Sequence, residues 1–325
     1  MKNRLLRWLS LRAKYLSGGF IVILSACGGG GVIPLPGQNV RALEADFISR
    51  VAITYSPYRT AQNDSGLAAE AIPLSNIKQD LLLLRQAGFG AIRIFDASDK
   101  VAKQTVQAIR ELNLDMKVML GVWLTTDNNP ASATLNADEI KRAVALANAN
   151  PEIINAISVG NETQVSWNTR NPQSISKLVE YIKVIRSQVR QPVTTDDNWA
   201  FFAQQSGQKD PRPVLNEIDF VSMHSYPLLD TIYNPNLWDW KQVAVPANQR
   251  AKAMVDAALA RAKLEYEIVR GYMDQTGYAQ MPILVGETGW KASPSGGETS
   301  RAHPVNQKMY FEGLQAWKKQ GGPKT

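Results

Sequence analysis

Between residues 50 and 320, seven short apolar runs alternate with segments of helical periodicity. The runs are residues 50–58 (RVAITYSPY), 91–96 (AIRIFD), 116–124 (MKVMLGVWL), 154–162 (INAISVGNE), 192–199 (PVTTDDNW), 217–227 (EIDFVSMHSYP) and 282–290 (PILVGETGW). Their length suits strands, and their near-continuous apolar character suits strands covered on both faces. Helical periodicity fills 75–88, 103–113, 136–150, 172–189, about 248–276 and 304–320. In 172–189, Ile175, Leu178, Val179, Ile182 and Ile185 share one face. Ser75 and Gly88 stand where the caps of the first helix belong, and Asn136 with Glu139 has the spacing of a capping box.

Strands alternating with helices imply a parallel sheet, either a closed barrel or an open doubly wound sheet. No G-x-G-x-x-G follows the first run and no G-x-x-x-x-G-K-[ST] occurs, so the nucleotide-binding open sheet loses its main support. Polar and aromatic residues instead gather where the runs end: Tyr55, Asp96, Trp123, Glu162, Asp197, Trp199, His224, Tyr226, Glu287 and Trp290. Barrel enzymes carry their chemistry at that end of the sheet. The expected fold is therefore α/β, a (β/α)8 TIM barrel over residues 46–325. One strand is missing from the pattern: beyond Gln320 only GGPKT remains, which reads as a barrel truncated at its C-terminus. Strands one and seven would then have unpaired edges.

The first 27 residues differ in character. Lys2, Arg4, Arg7, Arg12 and Lys14 precede the apolar stretch GGFIVILSAC (18–27), and no acid lies among them. These five cations account for most of the net charge of +7, leaving +2 for the rest, which gives no footprint for nucleic acid. A basic region, a short apolar region and small residues at its end describe an export signal, and the apolar run is too short to span a membrane. Leu24-Ser25-Ala26-Cys27 resembles the lipobox of bacterial lipoproteins, which implies lipidation of Cys27. Residues 28–45, which open on four glycines, then read as a flexible tether. The expected location is the bacterial cell envelope, with the domain anchored to a membrane and facing the periplasm or the exterior. Cys27 is the only cysteine, so no internal disulfide is expected.

The fourth and seventh runs end alike, in AISVGNET (156–163) and ILVGETGW (283–290). Strands four and seven face each other across a barrel mouth, so Glu162 and Glu287 can converge. Two carboxyl groups ~5–5.5 Å apart suit retaining glycoside hydrolysis, and ~6.5–9.5 Å suits inversion. Either route needs one carboxyl protonated and the other ionised, and mutual repulsion helps to separate them.

VGNET and VGETGW resemble the acid/base and nucleophile motifs of glycoside hydrolase family 17, in the retaining clan A. ITYSPYR, IRIFD and VMLGVWL resemble that family's first three strands, especially in its microbial branch, and the likeness runs in order over roughly residues 50–317. The resemblance implies Glu162 as general acid/base, Glu287 as nucleophile, a covalent glycosyl-enzyme, and Asn161 as a ligand of the sugar 2-hydroxyl. Lys291 stands where plant members have Pro, and the family's last strand is absent.

Aromatic rings at strand ends can stack on sugar faces. Tyr55, Tyr58, Trp123, Trp199, Tyr226 and Trp290 are candidates, with Tyr226 expected beside the nucleophile and Trp238 and Trp240 at outer subsites. Asp96 and Asp197 are candidate ligands of sugar hydroxyls or partners of Arg93. Two histidines, His224 and His303, argue against a His-based metal site, and a Ser-His-Asp triad lacks its G-x-S-x-G elbow. His224 is expected under the site floor or on the sugar, and His303 at the surface before a helix. No cofactor is expected. The reading is a retaining hydrolase acting on β-glucan, with β-1,3 linkage implied by the resemblance. A transglycosylase using the same two glutamates is the alternative, and a non-catalytic glucan-binding lipoprotein is a third.

Overall fold

The computed structural model describes residues 40–60, 64–126, 130–294 and 300–324. The export signal, Cys27 and most of the tether lie outside the described residues. Among the described residues, seven strands form a single parallel sheet in sequence order: β1 Ala52–Thr54, β2 Ala91–Ile94, β3 Lys117–Val122, β4 Ile154–Asn161, β5 Val193–Asn198, β6 Val221–His224 and β7 Ile283–Glu287. All six pairings are parallel. Together they make a nearly closed (β/α) barrel.

The two faces of the strands do different work. Ile92, Ile94, Val118, Leu120, Ile157, Val159, Val221 and Met223 join the large core shared with the helices. Their neighbours Ala91, Met119, Ala156, Phe220 and Leu284 form a separate cluster with Leu43 and Phe47. This second cluster fills the barrel interior, and Phe47 comes from the short helix Ala45–Ser49 that precedes β1. The period of two that separates these sets is the strand's own geometry. Above the interior cluster, the inward positions hold Arg93, Ser158, Asp196, Ser222 and His224, all buried.

β1 and β7 do not pair with each other. Val285 N donates to Lys324 O at 2.9 Å, so the chain returns to the side of β7 where an eighth strand would run. Lys324 Nζ reaches Phe47 O at 2.6 Å and Arg50 O at 2.8 Å, ahead of β1. A cleft of about 640 Å³ lies beside that contact, lined by Ala52, Ile53, Leu284, Val285, Phe311 and Leu314.

The main helices fall where periodicity places them, with two corrections at their starts. Ser75 lies inside helix Leu74–Gln86, whose N-cap is Pro73, whereas Gly88 does follow its end with φ +91°. The capping box is also overturned, because the helix starts at Pro130 and runs to Ala149. Asn136 instead braces the loop after β3: its Oδ1 accepts from Thr125 N at 2.8 Å and its Nδ2 donates to Thr125 O at 3.0 Å. Glu139 accepts from Ala97 N at 2.5 Å and Trp123 N at 3.2 Å. Both side chains tie loops rather than cap a helix. The segment after β6 contains a further short helix, Pro227–Tyr233. Among the described residues, no helix is long and apolar enough to cross a membrane.

Candidate active site

The sequence around Glu162 forces an unusual backbone. Gly160 has φ +83° and Glu162 has φ +50°, a region that residues with a side chain rarely adopt. Strain of this kind persists only where surrounding contacts impose it, and it concentrates at functional sites. The contacts are present. Glu162 N donates to Asp196 O at 2.8 Å. Asp197 accepts from Gln164 N at 2.8 Å and Val165 N at 3.2 Å, and so holds the turn that presents Glu162. The β4–β5 and β6–β7 registers both shift beside the site, which re-aims the residues at those strand ends.

Five strands send charge to one point. Arg93 of β2 donates from Nε to Asp196 Oδ2 at 2.6 Å and from Nη2 to Asn161 Oδ1 at 2.6 Å, and it pairs with Glu287 through Nη1. Tyr226 Oη donates to Glu287 Oε2 at 2.7 Å. His224 is fully buried, and its Nδ1 lies 3.1 Å from Glu162 Oε1 and 3.6 Å from Glu287 Oε2. Its Nε2 lies 3.9 Å from Asp196 Oδ1. Two carboxyl oxygens crowd one ring nitrogen, so their separation cannot exceed the sum of its two distances. That bound on these two oxygens accommodates the ~5–5.5 Å of a retaining pair.

The electrostatics fix the charge on Glu287. Burial alone would raise the Glu287 carboxyl, yet His224, Arg93 and the Tyr226 hydroxyl hold it below the usual range. Burial likewise opposes ionisation of Asp196, and Arg93 and His224 bring it down to about 2. His224 is pushed up to about 10: burial disfavours its charge, but Glu287, Asp196 and Glu162 outweigh that. Glu162 is the more open of the pair, with 30% of its side chain exposed against 10% for Glu287.

An open cleft of about 820 Å³ leads to Glu287, with Tyr58, Asp96, Trp123 and Asn161 among its walls. Asn161, Tyr226 and His224 thus join the two glutamates as the sequence suggests, although His224 has no surface to offer a sugar. Trp123 lies under Arg170, and Trp199 under Arg261. Asp96 lines the cleft and accepts from Ser98 N at 2.9 Å. Other expectations change. Trp290 is only 5% exposed, gives its indole N–H to Arg301 O at 3.0 Å and packs on Tyr310, so its ring serves the core rather than an open platform. Tyr55, which also lines the cleft, exposes little surface there and donates its hydroxyl to Asp80 at 2.9 Å. Trp238 donates to Pro227 O and Trp240 lies under Arg301, both against a core cluster that includes Trp290 and Tyr310. Asp197 is buried on backbone N–H groups; its neighbour Asp196 is the partner of Arg93. Arg93 and Asp196 are the residues the sequence understates, because a cation inside an apolar strand becomes legible only with its carboxylates. His303 caps helix Pro304–Lys319, accepting from Val305 N at 3.1 Å. Among the described residues, no cluster of three or more metal-ligating side chains occurs.

Relatives of known name have similar sequences or folds. A protein of Aspergillus clavatus named "probable glucan endo-1,3-beta-glucosidase" is 27% identical over 134 residues, 38% of this chain and 19% of that protein. A glucan 1,3-beta-glucosidase of Arthroderma benhamiae is 26% identical over 204 residues, 61% of this chain and 55% of that protein. The matches thus span about half of one curated relative and a fifth of the other. An endo-laminarinase from Formosa superposes with a TM-score of 0.73 at 22% identity, covering 87% of this chain and 79% of its own. An active-site mutant of the Rhizomucor miehei beta-1,3-glucanosyltransferase, in complex with laminaritriose, superposes with a TM-score of 0.59 at 20% identity, covering 84% of each chain. These two share the fold. The BtgE/BtgC glycoside hydrolase domain model matches residues 52–323, nearly the whole barrel, and the chain belongs to that family.

Proposed function

We propose that this domain is a retaining glycoside hydrolase acting on β-1,3-glucan, in the manner of glycoside hydrolase family 17. The observation that carries the reading is the unequal pair on one imidazole: Glu287 held ionised by Arg93 and Tyr226, Glu162 more exposed beside it. Glu287 attacks the anomeric carbon while a proton passes from Glu162 to the leaving oxygen, and water activated by Glu162 then releases the sugar. Asn161, with its amide oxygen on Arg93, has its N–H groups to offer the sugar 2-hydroxyl. Tyr58, Asp96 and Trp123 line the cleft that takes the chain. Outside the described residues, the leader and Cys27 support export and lipid anchoring at a bacterial membrane.

Transglycosylation is the second reading. Trp167 and Tyr233 are exposed large aromatics on the segments that follow β4 and β6, where an acceptor sugar could stack and resolve the intermediate in place of water. The test is mass spectrometry of products from short β-1,3-gluco-oligosaccharides, with Glu287→Gln in parallel. Shorter products alone mean hydrolysis, and products longer than the input mean transfer. Near-wild-type turnover by Glu287→Gln would overturn the nucleophile assignment.

A further inference from the structure

A retaining enzyme must enter the cycle with one proton ready for the leaving group. The hydrogen-bonding geometry offers two places for it, Glu162 or His224, because Nδ1 and Oε1 are 3.1 Å apart. The surroundings favour the imidazole. Glu162 just beyond β4, Asp196 of β5 and Glu287 of β7 all lie within 4 Å of its nitrogens. Asp197 of β5 adds a further carboxyl nearby, buried and pushed up to about 7 by that burial and by Glu162. Tyr226, just beyond β6, is a neutral hydroxyl. Arg93 of β2 opposes a charge on His224, and Asp196 and Glu287 pair with it directly. His224 has no solvent exposure, so its charge answers to these groups rather than to bulk water.

We propose that His224 stores the catalytic proton as an imidazolium and gives it up, through Glu162, when Glu287 becomes covalently bound to sugar. The step balances. As Glu287 forms its bond to the anomeric carbon and the glycosidic C–O bond breaks, the His224 Nδ1 proton moves to the ionised Glu162, which passes it on to the departing oxygen. Glu287 changes from a carboxylate to a neutral ester, so the negative charge that held the imidazolium disappears in the same step. His224 is left neutral and Glu162 ionised, the state needed to take a proton from the attacking water. When water or an acceptor hydroxyl releases the sugar, Glu287 regains its charge and the proton returns through Glu162 to His224. The two charges rise and fall together, so the net charge of the buried site is the same before and after the step. His224 touches no substrate; it acts through Glu162.

The inference rests on the retaining reading above, but its first test does not need turnover. The chain has only two histidines, so ¹⁵N-histidine NMR with His303→Gln for assignment reads His224 directly. In the wild type, the ring should stay doubly protonated through pH 8. In Glu287→Gln, which carries the neutral charge of the ester, the His224 titration should move down by at least ~1 pH unit. A neutral ring at pH 7 in the wild type, or the same midpoint in both proteins, overturns the proposal whether or not the domain cleaves glucan. The second test is His224→Asn, whose amide can still donate to Glu162 but has no proton to release. Cleavage of laminari-oligosaccharides should fall ~10²–10⁴-fold at neutral pH and recover toward acid pH, where Glu162 must carry its own proton. Cleavage of 2,4-dinitrophenyl β-glucosides, whose leaving group needs no proton, should fall less than tenfold. Equal losses on both substrates at every pH would assign His224 a packing role only. Failure of the wild type on both substrates would defeat the function proposed above and leave the NMR result to decide the charge coupling.

Discussion

Replacing Arg93 with Met tests whether the charge network is as interdependent as its geometry implies. The guanidinium is 5% exposed, bonds Asp196, Glu287 and Asn161, and lies 4.8 Å from the centre of the Phe95 ring. Met keeps much of the length and packing but removes the charge and every donor. Asp196, with no exposure, keeps His224 at 3.9 Å but loses the guanidinium bonded to it. Removing one partner of a buried pair typically costs ~3–5 kcal/mol. Against a total stability of ~5–15 kcal/mol the variant should fold, but weakly. With a urea m-value near ~3 kcal/mol/M, the midpoint should drop by ~1–2 M. The loss should depend on pH. In the wild type, Asp196 is depressed to about 2, so its contribution is present above the ordinary Asp range and fades as pH falls toward 2. Without Arg93 its burial is no longer offset, protonation relieves the strain, and the gap between the proteins should narrow from pH 7.5 to pH 5. Urea titrations followed by circular dichroism at both pH values measure the gap. A difference under ~1 kcal/mol, or one that does not change with pH, would refute the coupling. Arg93→Met combined with Asp196→Asn should recover at least half of the loss, since the orphaned charge is gone.

Three further outcomes are expected. Tyr226→Phe removes the 2.7 Å bond to Glu287; the acid limb of kcat/KM should move to higher pH, because Glu287 then needs a higher pH to ionise, and an unmoved limb would separate Tyr226 from the nucleophile. Gly286→Ala adds a Cβ that overlaps Ser222 Oγ and comes within 3.0 Å of Asp196 Oδ1, so thermal melts should show a loss of ~1–3 kcal/mol. Asp219→Asn weakens a fully buried hub that accepts from Arg41 N and Val193 N, each at 2.8 Å, and pairs with Arg186 at 2.5 Å; denaturation should show a loss of ~1.5–3 kcal/mol with product ratios unchanged, as Asp219 lies at the opposite end of β5 from the glutamates.

The order of strands and helices was legible because each element carries its own period. Ile175, Leu178, Val179, Ile182 and Ile185 mark a helix without reference to anything distant, and ILVG marks a strand in the same way. The two glutamates were legible because each sits at the end of such a run, after a glycine. Helix starts were less so. Asn136 and Glu139 have the spacing of a capping box, but their side chains are taken by Thr125, Ala97 and Trp123, which local sequence does not announce. Trp290 was misjudged for a related reason: it ends a strand, yet Arg301 and Tyr310 draw it into the core.

The sequence by itself determined the barrel's element order and put Glu162 and Glu287 at matching strand ends, because periodicity and position are local properties of a chain. Only the tertiary structure decided that Arg93, Asp196 and His224 belong with them. Arg93 and Glu287 are 194 residues apart, and they meet because neighbouring parallel strands curve into a barrel and send alternate side chains inward at the same height. The choice between Asp196 and Asp197 was settled the same way. Adjacent residues of one strand point to opposite sides, so one reaches the arginine inside the barrel and the other holds the turn that carries Glu162.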